Sequence, residues 1–257
     1  MHHLRTNCDD QFYRHTARLH STRLPEKLLL SETGQPLIQH TYESAQKATL
    51  PNGIVVAADH NRIAEAVESF GGEVIMTDPQ APSGTDRVAE VARNLNDVDI
   101  IVNVQGDEPD ISAEAIDMVI ELLENDPEAV MATLGTPIRD INQLQDPACV
   151  KVVFDNHQRA MYFSRSVIPH ARKWEDNLLE AQPPLFYQHI GLYAYRRDFL
   201  LSLTELPQSD VEKLESLEQL RVLSHGYTIL VGVIEKPSIG IDTPEDYQAF
   251  VRLQRNR

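Results

Sequence analysis

Short apolar runs alternate with amphipathic segments of helical spacing from residue 54 onward. Ile54 to Ala58 form one apolar run, which ends at Asp59. The next segment, 61–70, repeats its apolar residues at helical intervals and ends at two glycines. The same alternation continues with strand candidates at 74–76 and 100–104 and helix candidates at 86–95 and 112–123. Strands that alternate with helices in this way predict an α/β fold with a parallel, doubly wound sheet.

The second half of the chain breaks this alternation. Between residues 137 and 205, three strand candidates are separated by irregular loops that contain prolines, and they lie at 150–154, 160–163 and 191–195. We interpret 137–205 as a β-rich insertion that covers one end of the sheet or forms a dimer contact. Two further helices are predicted, at 211–223 and 244–255. The sequence therefore indicates one domain, 17–257, with 137–205 as a lobe.

The N-terminal segment does not fit this architecture. A buried central strand is a near-continuous run of Val, Ile and Leu, whereas Gln11 to Thr16 is mostly polar. We therefore predict that this strand lies at a sheet edge, or that residues 1–16 form an atypical start.

Composition excludes several classes of function. The chain has 39 acidic and 23 basic residues, and its formal net charge of -16 argues against binding along a nucleic-acid backbone. A small anionic ligand remains compatible, because a few local cations outweigh a distant field. No apolar stretch reaches the ~20 residues that cross a bilayer, and residues 1–10 lack the apolar core of a secretory signal. We expect a cytoplasmic protein without a membrane or nucleic-acid partner.

A basic loop is the first candidate site. Within residues 17–27 lie three cations, Arg18, Arg23 and Lys27, together with the hydroxyls of Ser21 and Thr22. Guanidinium groups, an ammonium group and backbone N–H groups of such a loop can surround a triphosphate. The alternative is an ordinary solvated loop.

Two carboxylates form the second candidate site. Asp107 follows the most apolar strand candidate, at the end of a strand where open α/β sheets bind their ligands. A carboxylate there can hold Mg²⁺ against substrate phosphates, because Mg²⁺ takes one or two protein carboxylates. Asp242, just before the last helix, is a possible second ligand of the same ion. The alternatives are an acidic turn at Asp107 and a simple helix cap at Asp242.

Several motifs, taken together in order, resemble one enzyme family. V-N-V-Q-G-D-E-P occurs without a change at 102–109, and A-R-x-x-S-T-R-L-P-G-K is similar to 17–27. Further matches are S-G-T-[ED]-R at 83–87, K-V-V at 151–153, Y-F-S-R at 162–165, H-I-G-x-Y at 189–193, E-x-L-E-Q-L-R at 215–221 and D-T-P-E-D at 242–246. From about residue 17 to the C-terminus, the chain resembles the 3-deoxy-manno-octulosonate (Kdo) cytidylyltransferases, also called CMP-Kdo synthetases.

The resemblance implies a Rossmann-like nucleotide-diphospho-sugar transferase fold, a homodimer and Mg²⁺ as the cofactor. It implies that CTP and Kdo react to CMP-Kdo and pyrophosphate, for bacterial lipopolysaccharide synthesis. The nucleotide-binding residues, carried over by motif, would be Arg18, Ser21, Arg23 and Lys27. The metal ligands would be Asp107 and Asp242, which act in catalysis together with Arg18 and Lys27. Contacts to the sugar acid and its carboxylate would come from Arg87, Gln105, Arg165, His189, Tyr193, Glu218 and Gln219.

The chain also departs from the family pattern. Glu26 replaces the glycine of L-P-G-K, which removes backbone freedom and adds an anion beside the basic loop. Gln80 and Ala81 replace a D-H pair before S-G-T. Two alternatives therefore stay open: a cytidylyltransferase for another sugar acid (sialic acid or amino-Kdo), and a non-catalytic CTP-binding homologue. The motifs at 83–87 and 105–109 favour Kdo.

Overall fold

A computed structural model describes residues 11–17, 24–95 and 97–256. The strands are β1 Gln11–Ala17, β2 Gly53–Ala58, β3 Val74–Met76, β4 Ile100–Gln105, β5 Ala129–Pro137, β6 Lys151–Phe154, β7 Ala160–Ser164, β8 Tyr187–Arg196 and β9 Thr228–Val233. The helices are α1 Leu37–Ala45, α2 Asn61–Ser69, α3 Gly84–Ala92, α4 Ala113–Asn125, α5 Ile141–Gln145, α6 Arg197–Leu203, α7 Asp210–Glu215, α8 Gln219–Ser224 and α9 Pro244–Arg255. None of the helices within these residues has the length and apolarity that crossing a bilayer requires.

One mixed sheet organises the fold. Its strand order is β3-β2-β1-β4-β8-β5-β9, and β6 pairs with β7 and with β8. The pairs β2–β3, β1–β2, β1–β4 and β5–β9 are parallel, whereas β8 runs antiparallel to β4 and β5. The prediction of an α/β fold with a mostly parallel sheet is confirmed.

The first strand occupies an internal position. β1 pairs in parallel with β2 on one side and with β4 on the other, so that Thr16 lies between Ala57 and Gln105. The prediction that this polar segment forms an edge strand is therefore wrong. Because β1 is internal, the chain leaves it at the same sheet edge as the ends of β2 and β4.

The predicted insertion is partly built into the main sheet. Residues 151–164 form the antiparallel hairpin of β6 and β7, and β6 also pairs with β8. β8, however, lies between β4 and β5 in the centre of the sheet. The boundaries 137–205 therefore include a strand that belongs to the main sheet, and side chains of that strand reach the site described below.

Helices cover both faces of the sheet. Val102 and Val104 of β4 pack with Ile116 and Ile120 of α4 on one face. Ile101, which points to the other face, packs in a second cluster with residues of α3, α6 and α8. Full burial of such a side chain stabilises the fold by roughly 1.5–3 kcal/mol. The sheet is therefore held rigidly between two apolar layers, and its carboxyl edge is a firm base for a site.

The last two predicted helices had different outcomes. α9 begins at Pro244 as predicted, and its start is fixed by reciprocal hydrogen bonds between Thr243 and Asp246. The single helix predicted at 211–223 is wrong, because Ser216 adopts a left-handed conformation with φ 53° and divides it into α7 and α8. The break places the residues from 216 to 219 at the edge of a cavity.

Candidate active site

Three charged residues from distant parts of the chain meet at the carboxyl edge of the sheet. Lys27 lies in a short 3-10 turn, Asp107 follows β4, and Asp242 precedes α9. The Lys27 Nζ atom donates to the carboxylate of Asp107, to Asp242 Oδ1 at 3.0 Å and to the Ile241 carbonyl at 3.0 Å. The backbone N–H of Ile241 donates to the Asp107 carbonyl at 2.9 Å, which fixes the two loops together.

The two carboxylates hold a common cation. Burial acts to lower the pKa of Lys27, but its hydrogen bonds and charge contacts with Asp107 and Asp242 outweigh that effect and raise the pKa above its usual value. The lysine is therefore fully charged at neutral pH, and its ammonium group stands where a metal cation could sit.

The donor set fits Mg²⁺ better than a transition metal. Mg²⁺ uses one or two protein carboxylates and completes its shell with water and substrate phosphates. Asp107 and Asp242 supply two carboxylates of this kind. Within the described residues there is no group of three or more His, Cys, Asp and Glu side chains that could enclose a metal on their own.

A cavity of about 590 Å³ opens beside this charged cluster. Its walls come from the end of β4, the first part of β8, the start of α3 and the α7–α8 break. The lining residues are Lys27, Leu28, Ser83, Gly84, Thr85, Asn103, Gln105, Gly106, Asp107, Val150, His189, Gly191, Tyr193, Ser216, Leu217, Glu218 and Gln219. The volume suits a small ligand, and the many polar groups of the lining suit a hydroxylated one.

His189 and Tyr193 of β8 form one wall of the cavity. The His189 ring lies 5.0 Å from the Phe163 ring and 5.4 Å from the Tyr193 ring, centroid to centroid. Burial lowers the pKa of His189 to about 3, and burial is also the main cause that raises the pKa of Tyr193. Both side chains are therefore neutral at physiological pH and act as hydrogen-bonding groups rather than as charges.

Glu218 and Gln219 form the opposite wall. Glu218 accepts a hydrogen bond from the Thr85 hydroxyl, and burial raises the pKa of its carboxyl group. The amide nitrogen of Gln219 is sealed from solvent and has no hydrogen-bond partner among the described residues. Because a buried donor without a partner is costly, it indicates a place that a ligand or a water molecule satisfies.

Two predicted sugar contacts lie outside the cavity lining. Arg87 is 1% exposed inside α3, where it donates to Thr77 and to the Asp78 carbonyl at 3.2 Å. Arg165 donates to the backbone carbonyls of Glu215 at 2.8 Å and Pro147 at 3.1 Å. The structure thus brings neither arginine into the group of residues that faces the cavity, and both fasten loops that surround it.

The other predicted residues divide into two groups. Lys27, Gln105, Asp107, His189, Tyr193, Glu218 and Gln219 come together at the cavity, and Asp242 joins them through Lys27. Arg18, Ser21 and Arg23 lie outside the described residues. Sequence reasoning did not single out Asn103 or Ser216, which also line the cavity. A polar residue within an apolar strand was the available signal for Asn103.

Glu26 is turned away from the charged cluster. Its carboxylate forms a paired contact with the guanidinium group of Arg62 at the start of α2, with 2.9 Å between Arg62 Nη2 and Glu26 Oε2. The residue has φ 52°, a left-handed conformation that glycine adopts without strain. The replacement of the family glycine therefore keeps the backbone shape and directs the added anion to Arg62.

We expect Glu26→Gly to be more stable than Glu26→Ala by about 1 kcal/mol, because only alanine keeps the left-handed strain. Both variants lose the contact with Arg62, so the comparison isolates the backbone conformation at residue 26. The free energy of unfolding in urea measures the difference. Equal stabilities would show that the position is not strained.

Comparisons with known proteins give a consistent result. A family model described as cytidylyltransferase matches residues 16–229. A 3-deoxy-manno-octulosonate cytidylyltransferase from Rhodopirellula baltica is 48% identical over 235 residues, which cover 91% of this chain and 94% of that protein. An 8-amino-3,8-dideoxy-manno-octulosonate cytidylyltransferase from Shewanella woodyi is 48% identical over 233 residues, with 90% and 92% covered.

A solved structure is also similar. It is a CMP:2-keto-3-deoxy-manno-octonic acid synthetase in complex with CTP, 38% identical to this chain, with a TM-score of 0.89. The match covers 96% of this chain and 99% of that one. The similarity thus extends over the sheet, the carboxyl-edge cluster and the cavity together.

Proposed function

The chain belongs to the cytidylyltransferase family, and we propose that it joins CTP to 3-deoxy-manno-octulosonate and releases pyrophosphate. The enzyme class, a nucleotidyltransferase, follows from the family. The single observation that supports the sugar-acid substrate is the juxtaposition of the Lys27–Asp107–Asp242 cluster with a polar cavity of about 590 Å³. The cluster suits a polyphosphate and its cation, and the cavity suits a hydroxylated sugar.

We propose that Asp107 and Asp242 hold Mg²⁺ when nucleotide is bound. The ion would supply positive charge that offsets the negative charge of the phosphates. Lys27, which already lies between the two carboxylates, adds a fixed positive charge beside the phosphates. The site thereby lets an anionic sugar approach an anionic triphosphate.

The reaction needs positioning more than it needs a protein nucleophile. The anomeric hydroxyl oxygen of the sugar attacks the α-phosphorus of CTP, loses its proton, and forms a new P–O bond. The bond from the α-phosphorus to the bridging oxygen breaks in line, and pyrophosphate leaves. Such transfers depend on orientation and charge neutralisation. Gln105, Tyr193 and Gln219 line the cavity with groups that orient hydroxyls, which is the role we assign to them.

A second candidate substrate is the 8-amino analogue of the same sugar acid. Glu218 is an acidic residue of the cavity wall, and a substrate ammonium group would pair with its carboxylate. Relatives with each substrate name are equally similar to this chain, at 48% identity. We favour Kdo because the wall opposite Glu218 carries His189 and Tyr193, which are neutral hydrogen-bonding groups that match hydroxyls.

A pyrophosphate-release assay with CTP and Mg²⁺ tests the proposal. We expect release with Kdo and none with CTP alone, and kcat/KM for Kdo about tenfold above that for amino-Kdo, since one matched polar contact is worth about 1.4 kcal/mol. Sialic acid serves as a third substrate. A higher kcat/KM with amino-Kdo, together with its selective loss in Glu218→Gln, would support the second candidate. CTP-induced thermal stabilisation without release from any sugar would contradict an enzymatic role.

A further inference from the structure

An irregularity in the sheet lies beside His189. Thr133 of β5 is opposite Tyr193 of β8, but the next residue, Leu134, is opposite Ile190. Two residues of β8, Gly191 and Leu192, are therefore looped out of the ladder. Bulges of this kind change the direction in which neighbouring side chains point, and they recur next to active sites. Here the bulge separates His189 from the regular strand that follows it.

The hydroxyl of Thr133 sits inside this bulge. Thr133 is fully buried, and its Oγ1 atom lies 3.0 Å from the Ile190 carbonyl oxygen and 2.9 Å from the Leu192 carbonyl oxygen. The same Oγ1 atom lies 3.0 Å from His189 Nε2. One hydroxyl group thus contacts two carbonyl oxygens and one imidazole nitrogen.

The number of protons decides the direction of each hydrogen bond. A carbonyl oxygen can only accept, and a threonine hydroxyl has one proton to give. If Thr133 gave that proton to His189, its oxygen would face two carbonyl oxygens at about 3 Å with no proton between them. The favourable arrangement is that Thr133 donates into the bulge carbonyls and accepts from Nε2–H of His189. The imidazole proton is then on Nε2, and Nδ1 has a lone pair.

The second ring nitrogen has no protein partner among the described residues. His189 lines the cavity, so Nδ1 is left for a group bound there. The ring is held by Phe163 and Tyr193, so it cannot easily exchange its two nitrogens by turning over.

We propose that Thr133 is a positioning residue that fixes the Nε2–H tautomer of His189, so that Nδ1 accepts a hydrogen bond from a hydroxyl group of the sugar acid. The low pKa of His189 is consistent with this neutral role. The identity of the ligand rests on the proposed function, whereas the tautomer of His189 does not. His189 was expected to be one of the residues that contact the sugar acid and its carboxylate, and this assignment gives it a hydroxyl, because two acceptors repel each other. The carboxylate must be held by other groups.

Nitrogen-15 spectroscopy of the ligand-free protein tests the tautomer directly. In protein labelled with ¹⁵N-histidine, the His189 signals are identified by their loss in His189→Gln. We expect a protonated Nε2 signal and an unprotonated, pyridine-type Nδ1 signal in the wild type. Thr133→Ser should keep this pattern, whereas Thr133→Val, which has the same shape without a hydroxyl, should give a mixture of tautomers. A protonated Nδ1 in the wild type would overturn the proposal.

Kinetics then test the ligand. Thr133→Val should raise KM for the sugar acid by the factor by which it depletes the Nε2–H tautomer, roughly twofold for an equal mixture, and leave KM for CTP unchanged. Thr133→Ser should restore the wild-type KM.

The spectrum tests the ligand as well. Adding the sugar acid should shift the Nδ1 signal of the wild type, because Nδ1 then accepts a hydrogen bond from a sugar hydroxyl. An unshifted Nδ1 signal at saturating sugar, while pyrophosphate is still released, would refute the ligand assignment alone. If no sugar supports release, the proposed function fails, and the spectrum of the free protein still decides the tautomer.

Discussion

Asp107→Asn is expected to lower Mg²⁺-dependent pyrophosphate release by at least ~100-fold, which corresponds to the loss of roughly 3 kcal/mol of transition-state stabilisation. Asparagine keeps the size of the side chain but removes one of the two carboxylates that share the Lys27 ammonium group. Lys27 would keep its contacts with Asp242 and with the Ile241 carbonyl, each at 3.0 Å. The loop should therefore stay in place, and the measured loss should be in kcat/KM rather than in folding.

Asp198→Asn is a matched control for this change. It removes the same charge from a side chain that is 94% exposed at the start of α6, away from the cavity lining. We expect its activity and its thermal midpoint to equal those of the wild type. Raising the Mg²⁺ concentration should recover part of the activity of Asp107→Asn if the carboxylate binds the ion. Near-wild-type activity of Asp107→Asn would show that this residue is only part of a turn.

The fold class could be predicted because the spacing of apolar residues matches the burial of their side chains along most of the chain. β4 and α4 have strong apolar patterns and were located to within two residues. The position of β1 was predicted wrongly. Its polar residues are typical of an edge strand, but the position of a strand in the sheet is decided by its pairing, here with β2 and β4. β8 was assigned to the insertion because its antiparallel entry into the sheet depends on long-range contacts that local periodicity does not record.

The charged cluster could be located from the ends of strands, whereas the polar wall was located only through its motifs. Asp107 could be located because ligand sites lie beyond the carboxyl ends of strands, and the structure brings it to Lys27 and Asp242. Arg87 was expected at the substrate on the basis of its motif, but motif membership does not reveal which way a side chain points. Thr133 gave no signal, because a threonine within an apolar strand is indistinguishable from an ordinary core residue until the bulge is visible.

Arg87→Met is expected to lower the free energy of unfolding by about 3 kcal/mol, because it removes one partner of a buried ion pair. The Arg87 side chain is 1% exposed, and Nη2 lies 3.6 Å from the Asp59 carboxylate, which is itself 12% exposed. Methionine fills similar space but donates nothing to Thr77 or to the Asp78 carbonyl. Asp59 follows β2, and Thr77 and Asp78 follow β3, all at the carboxyl edge of the sheet. Losing the Arg87 contacts that hold these loops would therefore also disturb the site. Urea denaturation measures the effect.

Arg159→Met provides the contrast. Arg159 is 48% exposed and lies 3.3 Å from Asp126, so the same substitution should cost less than about 1 kcal/mol. KM for the sugar acid, measured at a temperature at which every variant is folded, separates the two roles considered for Arg87. A residue that acts by anchoring loops should change stability far more than KM, whereas a direct sugar contact should do the reverse. An Arg87→Met protein as stable as the wild type, with a strongly raised KM, would show that Arg87 reaches the substrate after all.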